Sequence, residues 1–310
     1  GSALAPLLFT LYIVDITNVL HFCNIHLYAD DIQLYIHFEP NAIDEAVKLI
    51  NLDVSAITNY LNNHGLYVNA TKTQPIILGS NKFVNQRCLD VTPKIIIDDQ
   101  EVAYCRSVKN LGLTIDCTLT WKEQVQLSVN RVFASLAQAK RNISCMPLAI
   151  RKKLVQAIIM PTLEYCLSVM TNISEENMNT LQKAQNACIR FIFKTRWDEH
   201  ITPYFIELNW LKVRDRQRIA ILNLIWKTVK FKNPAYLYEM LTFAEEERNR
   251  MLRSDNNCLR VPVHRTEMYD RSFCVVATRI FNEYGLQKTL HKATNQFGKK
   301  QAVKTMLKSY

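Results

Sequence analysis

The sequence predicts an α+β fold, a mixed first part followed by a helical second part. Short β-rich apolar runs bounded by turn residues, at 25–27, 32–36, 76–78, 94–97 and 113–115, all fall before residue 120. After Trp121 the apolar residues recur at helical spacing over 121–143, 148–160, 174–194 and 212–231. Charge marks the same division. Residues 1–120 carry 7 Lys and Arg against 12 Asp and Glu; subtracting these from the chain totals of 38 and 28 leaves 31 against 16 in residues 121–310. The net charge is therefore −5 before the division and +15 after it.

Taken in order, the run from Ala3 to Ile16 is the most apolar stretch. It has no basic leader, contains Pro6 and Asp15, and is shorter than the roughly 20 residues a membrane helix needs, so it predicts a buried helix rather than a signal peptide or a span. Ile25-His26-Leu27 and Ile32-Gln33-Leu34-Tyr35-Ile36 predict a hairpin with Tyr28-Ala29-Asp30-Asp31 at its tip. Ile43, Ala46, Val47, Ile50, Val54, Ile57 and Leu61 follow helical spacing up to a stop at Asn62-Asn63-His64-Gly65. Later, Ser174 followed by Glu175 and Glu176 reads as a helix N-cap with early acids, while Pro147 and Pro161 punctuate the neighbouring helices.

Composition narrows the function classes. At 310 residues, 48% hydrophobic and 21% charged, the chain can bury one or two cores, and its length suggests about two domains. Nine cysteines, an odd number with no Cys-x-x-Cys pair, signal neither a zinc knuckle nor a disulfide framework and read as scattered reduced thiols. No His-Glu-x-x-His occurs, and six glycines form no phosphate-cradling loop. No internal repeat is present, and Glu245-Glu246-Glu247 is a short acidic run of the solvated kind.

Two features carry chemistry. Asp30 and Asp31 place adjacent carboxylates at one hairpin tip; Mg²⁺ takes such hard oxygen ligands, one or two at a time, with substrate phosphates and water completing the shell. A merely solvated turn is the alternative, since Asp is a favoured turn residue. In the basic half, Lys140-Arg141, Arg151-Lys152-Lys153, Arg190, Lys194, Arg196, Lys212, Arg214, Arg216, Arg218, Lys227, Lys230 and Lys232 are interleaved with Phe191, Phe193, Trp197, Trp210 and Trp226. Such groups neutralise phosphates and stack on bases, whereas a solvated helix face and core aromatics are the alternatives.

Four segments, in order, are similar to the later palm blocks of reverse transcriptases from non-LTR retrotransposons, of the LINE type and jockey-like. They are the opening Gly1-Ser2-Ala3-Leu4-Ala5-Pro6-Leu7-Leu8-Phe9, then Tyr28-Ala29-Asp30-Asp31, then Gly65 to Gln74, then Asn110-Leu111-Gly112 to Asp116 with Leu119-Thr120-Trp121-Lys122. The stretch from Leu252 to Leu286 resembles, more weakly, the tail block of the same elements, with Phe281-Asn282-Glu283-Tyr284 in place of the usual Trp-Asn and Leu-Pro.

The resemblance implies a partial right-hand polymerase palm over 1–120, a helical thumb over 121–195 and a helical connector or tail over 196–310. It implies nucleotidyl transfer by an RNA-directed DNA polymerase with a two-metal Mg²⁺ site, acting on an RNA template, a DNA primer and deoxynucleotides, without a membrane partner. Asp30 is then the direct metal ligand and Asp31 its support, and Lys72 a general acid near the leaving pyrophosphate. Gly1, Ser2, Tyr28 and Gly112 contact substrate, Gly112 as a primer-grip turn. Lys140, Arg141, Arg151, Lys152 and Lys153 bind nucleic acid. Members of this family act as nuclear and cytoplasmic ribonucleoproteins. They also use an aspartate from an earlier block and closing fingers. The chain starts after both in the family pattern, so the expectation is a truncated polymerase, inactive as it stands. The alternative is a non-catalytic nucleic-acid-binding remnant that uses the basic helical half.

Overall fold

A computed structural model describes residues 3–86, 92–243 and 258–283. Gly1, Ser2, Cys88, the acidic run 245–247, the tail-block residues Leu252 and Arg253, and Tyr284 onward lie outside the described residues. The chain divides into two compact units, Gly1–Leu119 and Thr120–Tyr310, described in turn.

The first unit is built around one long helix. Its elements are α1 (Ala5–Ile13), a 3₁₀ turn over Val14–Val19, β1 (Asn24–Tyr28), β2 (Asp31–Tyr35), α2 (Ile43–Asn63), α3 (Asn81–Gln86), β3 (Ile95–Ile97), β4 (Gln100–Val102), β5 (Ser107–Asn110) and β6 (Leu113–Asp116). The strands pair as three antiparallel hairpins, β1–β2, β3–β4 and β5–β6. The apolar stripe of α2 serves two cores in succession. Ile43, Val47, Ile50 and Val54 pack with Ile77, Ile95, Ile97 and Val102, and Ile57 and Leu61 pack with Ile16 and the inward residues of the first hairpin. Asn51 docks the second hairpin, its Nδ2 donating to Lys94 O at 3.1 Å and its Oδ1 accepting from Ile96 N at 3.0 Å.

Helix α2 stops where its sequence says it should. Gly65 N donates to Asn62 O at 3.0 Å and Leu66 N to Leu61 O at 2.9 Å, the two bonds of a Schellman cap, with Gly65 at φ 69° and Leu66 joining Leu61 in the core.

Two expectations for this unit fail. The apolar opening helix is not buried: Leu4, Leu7, Leu8, Leu11 and Tyr12 are exposed, Leu8 at 61%, and Ile13 is the residue α1 buries. An apolar run shows low affinity for water without saying which neighbour it packs on. Its phenol end is nonetheless tied down, since Tyr12 Oη donates to His64 O at 2.6 Å. The run at 76–78 forms a single bridge, Ile76 to Cys105, rather than a strand.

In the second unit come α4 (Lys122–Lys140), a 3₁₀ turn over Ile143–Cys145, α5 (Leu148–Leu154), a wider π turn over Val155–Ile159, α6 (Met160–Glu164), α7 (Glu175–Phe193), α8 (Thr202–Leu208), α9 (Val213–Phe231), α10 (Ala235–Glu239), α11 (Glu267–Asp270) and α12 (Phe273–Glu283). Ser174 caps α7 as its sequence predicts, its Oγ accepting from Asn177 N at 3.2 Å. Pro161 does not end its helix. Met160 N reaches back five residues to Val155 O, and that wider turn lets the chain continue through Pro161, whose ring and missing N–H would otherwise conflict with the preceding turn. The expected boundary at 195 is spanned by hydrogen bonds: Gln185 Nε2 donates to Leu211 O at 2.8 Å, and Val213 N to Gln182 Oε1 at 3.0 Å. Among the described residues, no helix is long and apolar enough to cross a membrane.

Gly65→Ala tests the α2 stop. An added Cβ meets nothing within 4 Å, so only the left-handed backbone opposes it, and a loss of about 1 kcal/mol in denaturant unfolding is expected. An unchanged midpoint would show that the cap does not constrain the helix end.

Candidate functional site

The β1–β2 hairpin is set in place from below and from its entry. Alternation puts Ile25, Leu27, Ile32 and Leu34 on the core face, paired Ile25 to Leu34 and Leu27 to Ile32. Asn24, His26, Tyr28, Asp31, Gln33 and Tyr35 share the outer face. The entry is held by Asp53, a 1% exposed carboxylate on the core side of α2. Its Oδ1 accepts from His21 N at 3.0 Å and its Oδ2 from Phe22 N at 2.9 Å and Cys23 N at 2.6 Å, so three successive backbone N–H groups close on one anion immediately before β1. Burial pushes the Asp53 pKa up, the three N–H donors and the Cys23 thiol pull it down, and the net shift is downward. Burial and the adjacent Asp53 carboxylate push the Cys23 thiol up to about 12.

At the tip, Tyr28 and Asp31 are the last cross-strand pair, and Ala29 and Asp30 form a two-residue turn with Ala29 at φ 53°. Asp30 and Asp31 are both exposed, and neither carboxylate has a hydrogen-bond or ion-pair partner among the described residues. Tyr28 stands 65% exposed on the same outer face as Asp31. On that face His26 stacks on Tyr35 at 5.2 Å, and Gln33 Nε2 donates to Asn110 Oδ1 at 2.8 Å. Asn110 closes the next turn of interest, Leu111-Gly112, where both residues have positive φ (46° and 83°), the geometry of a primed hairpin turn. The structure thus brings the Gly112 turn beside the Asp30–Asp31 hairpin through one amide pair.

Lys72 lies on an exposed turn organised by Asn69, whose Oδ1 accepts from Lys72 N at 3.2 Å and Thr71 Oγ1 at 2.7 Å. The segment leading to it, Leu66 and Val68, packs in the same core as the hairpin. Gly1 and Ser2 fall outside the described residues. Asp30 and Asp31 offer free hard-oxygen donors of the kind Mg²⁺ takes. Among the described residues, no group of three or more His, Cys, Asp or Glu is gathered to hold a metal.

In the second unit Lys140 and Arg141 are exposed at the C-terminal end of α4, Lys153 is exposed on α5 and Lys152 is half-buried, and none has an acidic partner among the described residues. Arg151 is a correction. It is 7% exposed and turned inward, its Nη1 donating to Phe191 O at 3.2 Å, so it braces α5 against α7 instead of meeting phosphate. The alternating Arg214, Arg216 and Arg218 of α9 are also occupied, by Glu175, Glu164 and Glu283. Of the interleaved aromatics, Phe191 and Trp210 are core, whereas Trp197 is exposed.

Residues 1–115 match the family model of reverse transcriptase (RNA-dependent DNA polymerase). The reverse-transcriptase match takes in the hairpin with Asp30 and Asp31, the Lys72 turn and the Gly112 turn, and it ends inside β6. Comparisons with curated proteins and with solved structures gave no match.

Asp53 is the residue the sequence reading passes over. It falls three residues after Ile50 and four before Ile57, on the core stripe of α2, and a carboxylate in that register is itself the signal that something polar must meet it. Asp53→Asn keeps the shape but turns an NH₂ toward N–H donors, and a cost of about 2–4 kcal/mol is expected. Because its folded pKa is depressed, Asp53 contributes stability that is present above the ordinary carboxylate pKa of about 4 and is lost as pH falls from there through the folded value. Denaturant midpoints between pH 6 and pH 2 are expected to fall less steeply in Asp53→Asn; parallel profiles would remove the carboxylate from this role.

Proposed function

We propose that the first unit is the palm portion of an RNA-directed DNA polymerase of the non-LTR retrotransposon type, and that the second unit is its thumb and connector, holding primer and template. The observation that carries the reading is the coincidence of the reverse-transcriptase match with two adjacent, exposed, unpartnered carboxylates on a hairpin fixed from both sides. In this reading Asp30 and Asp31 hold Mg²⁺, and the ion, when bound, supplies stabilisation of charge developing on the phosphoryl oxygens. Tyr28 and the Gly112 turn form the floor against which the primer end is held. Lys72 carries the proton to the leaving pyrophosphate. Where a polymerase of this type supports primer extension, Asp30→Asn is expected to abolish it and Lys72→Ala to slow it; extension retained in Asp30→Asn would show that the ligand is misassigned.

A second reading is favoured by one feature of the site. Both carboxylates come from a single hairpin, whereas a two-metal clamp needs ligands fixed from both sides of the transferred group. Purified residues 1–310 are therefore expected to bind a primer–template and not extend it, and robust deoxynucleotide incorporation by that chain would overturn this expectation.

Binding itself is expected to be sequence-indifferent and to weaken with salt by a log–log slope of about −0.9 per phosphate neutralised on a B-form duplex. Replacing Lys140, Arg141, Lys152 and Lys153 by Ala should flatten that slope and lower affinity uniformly across sequences. Arg151→Ala should instead lower folding stability, by about 2–5 kcal/mol, because it empties a buried site. A salt-insensitive affinity in the quadruple variant and the parent alike would leave those four as a solvated face.

A further inference from the structure

The loop between α7 and α8 displays one large aromatic side chain on a fixed backbone. Lys194 leaves α7 in the left-handed region (φ 57°), and Thr195 N donates back to Arg190 O at 3.2 Å. Arg190 then reaches over the loop, its Nε donating to Arg196 O at 3.3 Å and its Nη2 to Trp197 O at 3.0 Å. Glu199 closes the other side, accepting from Arg196 N at 3.4 Å and from Tyr204 Oη at 2.5 Å, while the Tyr204 ring packs on Phe193 at 4.4 Å. The main chain on both sides of Trp197 is thus held, yet its indole is 83% exposed and makes no hydrogen bond or ring contact among the described residues. Leaving so much apolar area in water runs against the usual burial of Trp, and the held main chain reduces the backbone ordering that binding would otherwise cost.

The chemistry around the indole selects the partner. Its sequence neighbours Lys194, Thr195, Arg196, Asp198, Glu199 and His200 are all polar or charged. The core of a protein–protein interface is depleted of charge, so this is poor ground for a protein anchor. The acids are already engaged, Asp198 with Arg196 at 3.3 Å and Glu199 within the loop, and Lys194 has no acidic partner among the described residues. A π-face with an available cation nearby in the chain, here three residues before it, is the combination with which sequence-tolerant sites hold an unpaired base and its phosphate.

We infer that Trp197 is a stacking platform for an unpaired nucleobase of single-stranded RNA or DNA, with Lys194 meeting the adjacent phosphate. This rests on the nucleic-acid-binding reading of the second unit and adds to it a single-strand contact made through the base. The test is direct because, of the four tryptophans, Trp121 and Trp210 are buried and Trp226 is half-buried, so exposed-indole fluorescence reports Trp197. Titrating the full chain with a 12-nucleotide poly(dT) or poly(rU) strand should quench that emission, and a blunt duplex of equal length should quench it less. Trp197→Leu, which keeps apolar area but has no ring, should weaken single-strand binding about 5- to 150-fold with an unchanged salt slope, while Trp197→Phe keeps most of the affinity. Lys194→Gln should instead reduce the slope by about 1. Absence of any binding would overturn the nucleic-acid reading and this inference together. Binding without quenching, with Trp197→Leu equal to the parent, would overturn this inference alone. A change in sedimentation of the free chain on Trp197→Leu, without a change in strand affinity, would assign the indole to a protein contact and equally overturn it.

Discussion

Three consecutive backbone N–H groups, those of His21, Phe22 and Cys23, point at one buried carboxylate, and the arrangement of the first unit follows from that convergence. Buried N–H groups without acceptors are costly, and a buried carboxylate without donors is costlier still. Asp53 and the 21–23 loop therefore require one another. Meeting there fixes the point at which the chain leaves the 3₁₀ turn and enters β1 and, through the period-2 alternation, which hairpin residues face the core. Asp31 is left on the outer face, and Asp30 at the turn beside it. The same contact, with burial, pushes the Cys23 thiol up to about 12, which favours the protonated thiol near neutral pH.

Local signals in the sequence were sufficient for the elements whose ends are chemically marked. Asn62-Asn63-His64-Gly65 stops α2 because glycine alone takes the left-handed cap at little cost, and Ser174 starts α7 because its hydroxyl accepts the orphan N–H of Asn177. The Asp30–Asp31 hairpin was legible because two alternating runs flank four turn-compatible residues. The exposure of α1 and the inward turn of Arg151 were not legible, for a common reason. Each depends on which neighbour arrives in space: Leu8 is left 61% exposed, and Arg151 finds the carbonyl of Phe191, forty residues away. Charge counting failed in the same way along α9. The arginines at 214, 216 and 218 read as a cationic track, yet each meets a glutamate from a distant segment, so these three do not form a free cationic face.

Buried amides fix several chain crossings within the apolar packing of the second unit. Gln217 donates to Leu167 O at 3.1 Å and Met170 O at 2.9 Å, satisfying the carbonyls of the turn that follows α6, and Gln185 does the same for Leu211 ahead of α9. At the far end Asn282 pairs with both backbone groups of Leu259, at 3.0 and 2.7 Å, and so behaves like one residue of a β-ladder presented from a helix. Loops with unsatisfied carbonyls would otherwise stay at the surface. Neutral amides fix these crossings without adding charge to a surface whose cationic excess the proposed function requires.

The wide turn ahead of Pro161 has a further consequence, one of phase. Arg151, Val155, Ile159 and Leu163 are buried at intervals of four, and in a helix of 3.6 residues per turn such a stripe rotates by about 40° at each step. Over three steps the last residue would point well away from the first. Because the Val155–Ile159 segment winds more slowly, it returns part of that rotation and keeps all four on the side that the rest of the unit covers. A segment that looks in sequence like two helices divided by a proline is thereby one ruler with its marks realigned midway, and the guanidinium at one end and the leucine at the other face the same interior.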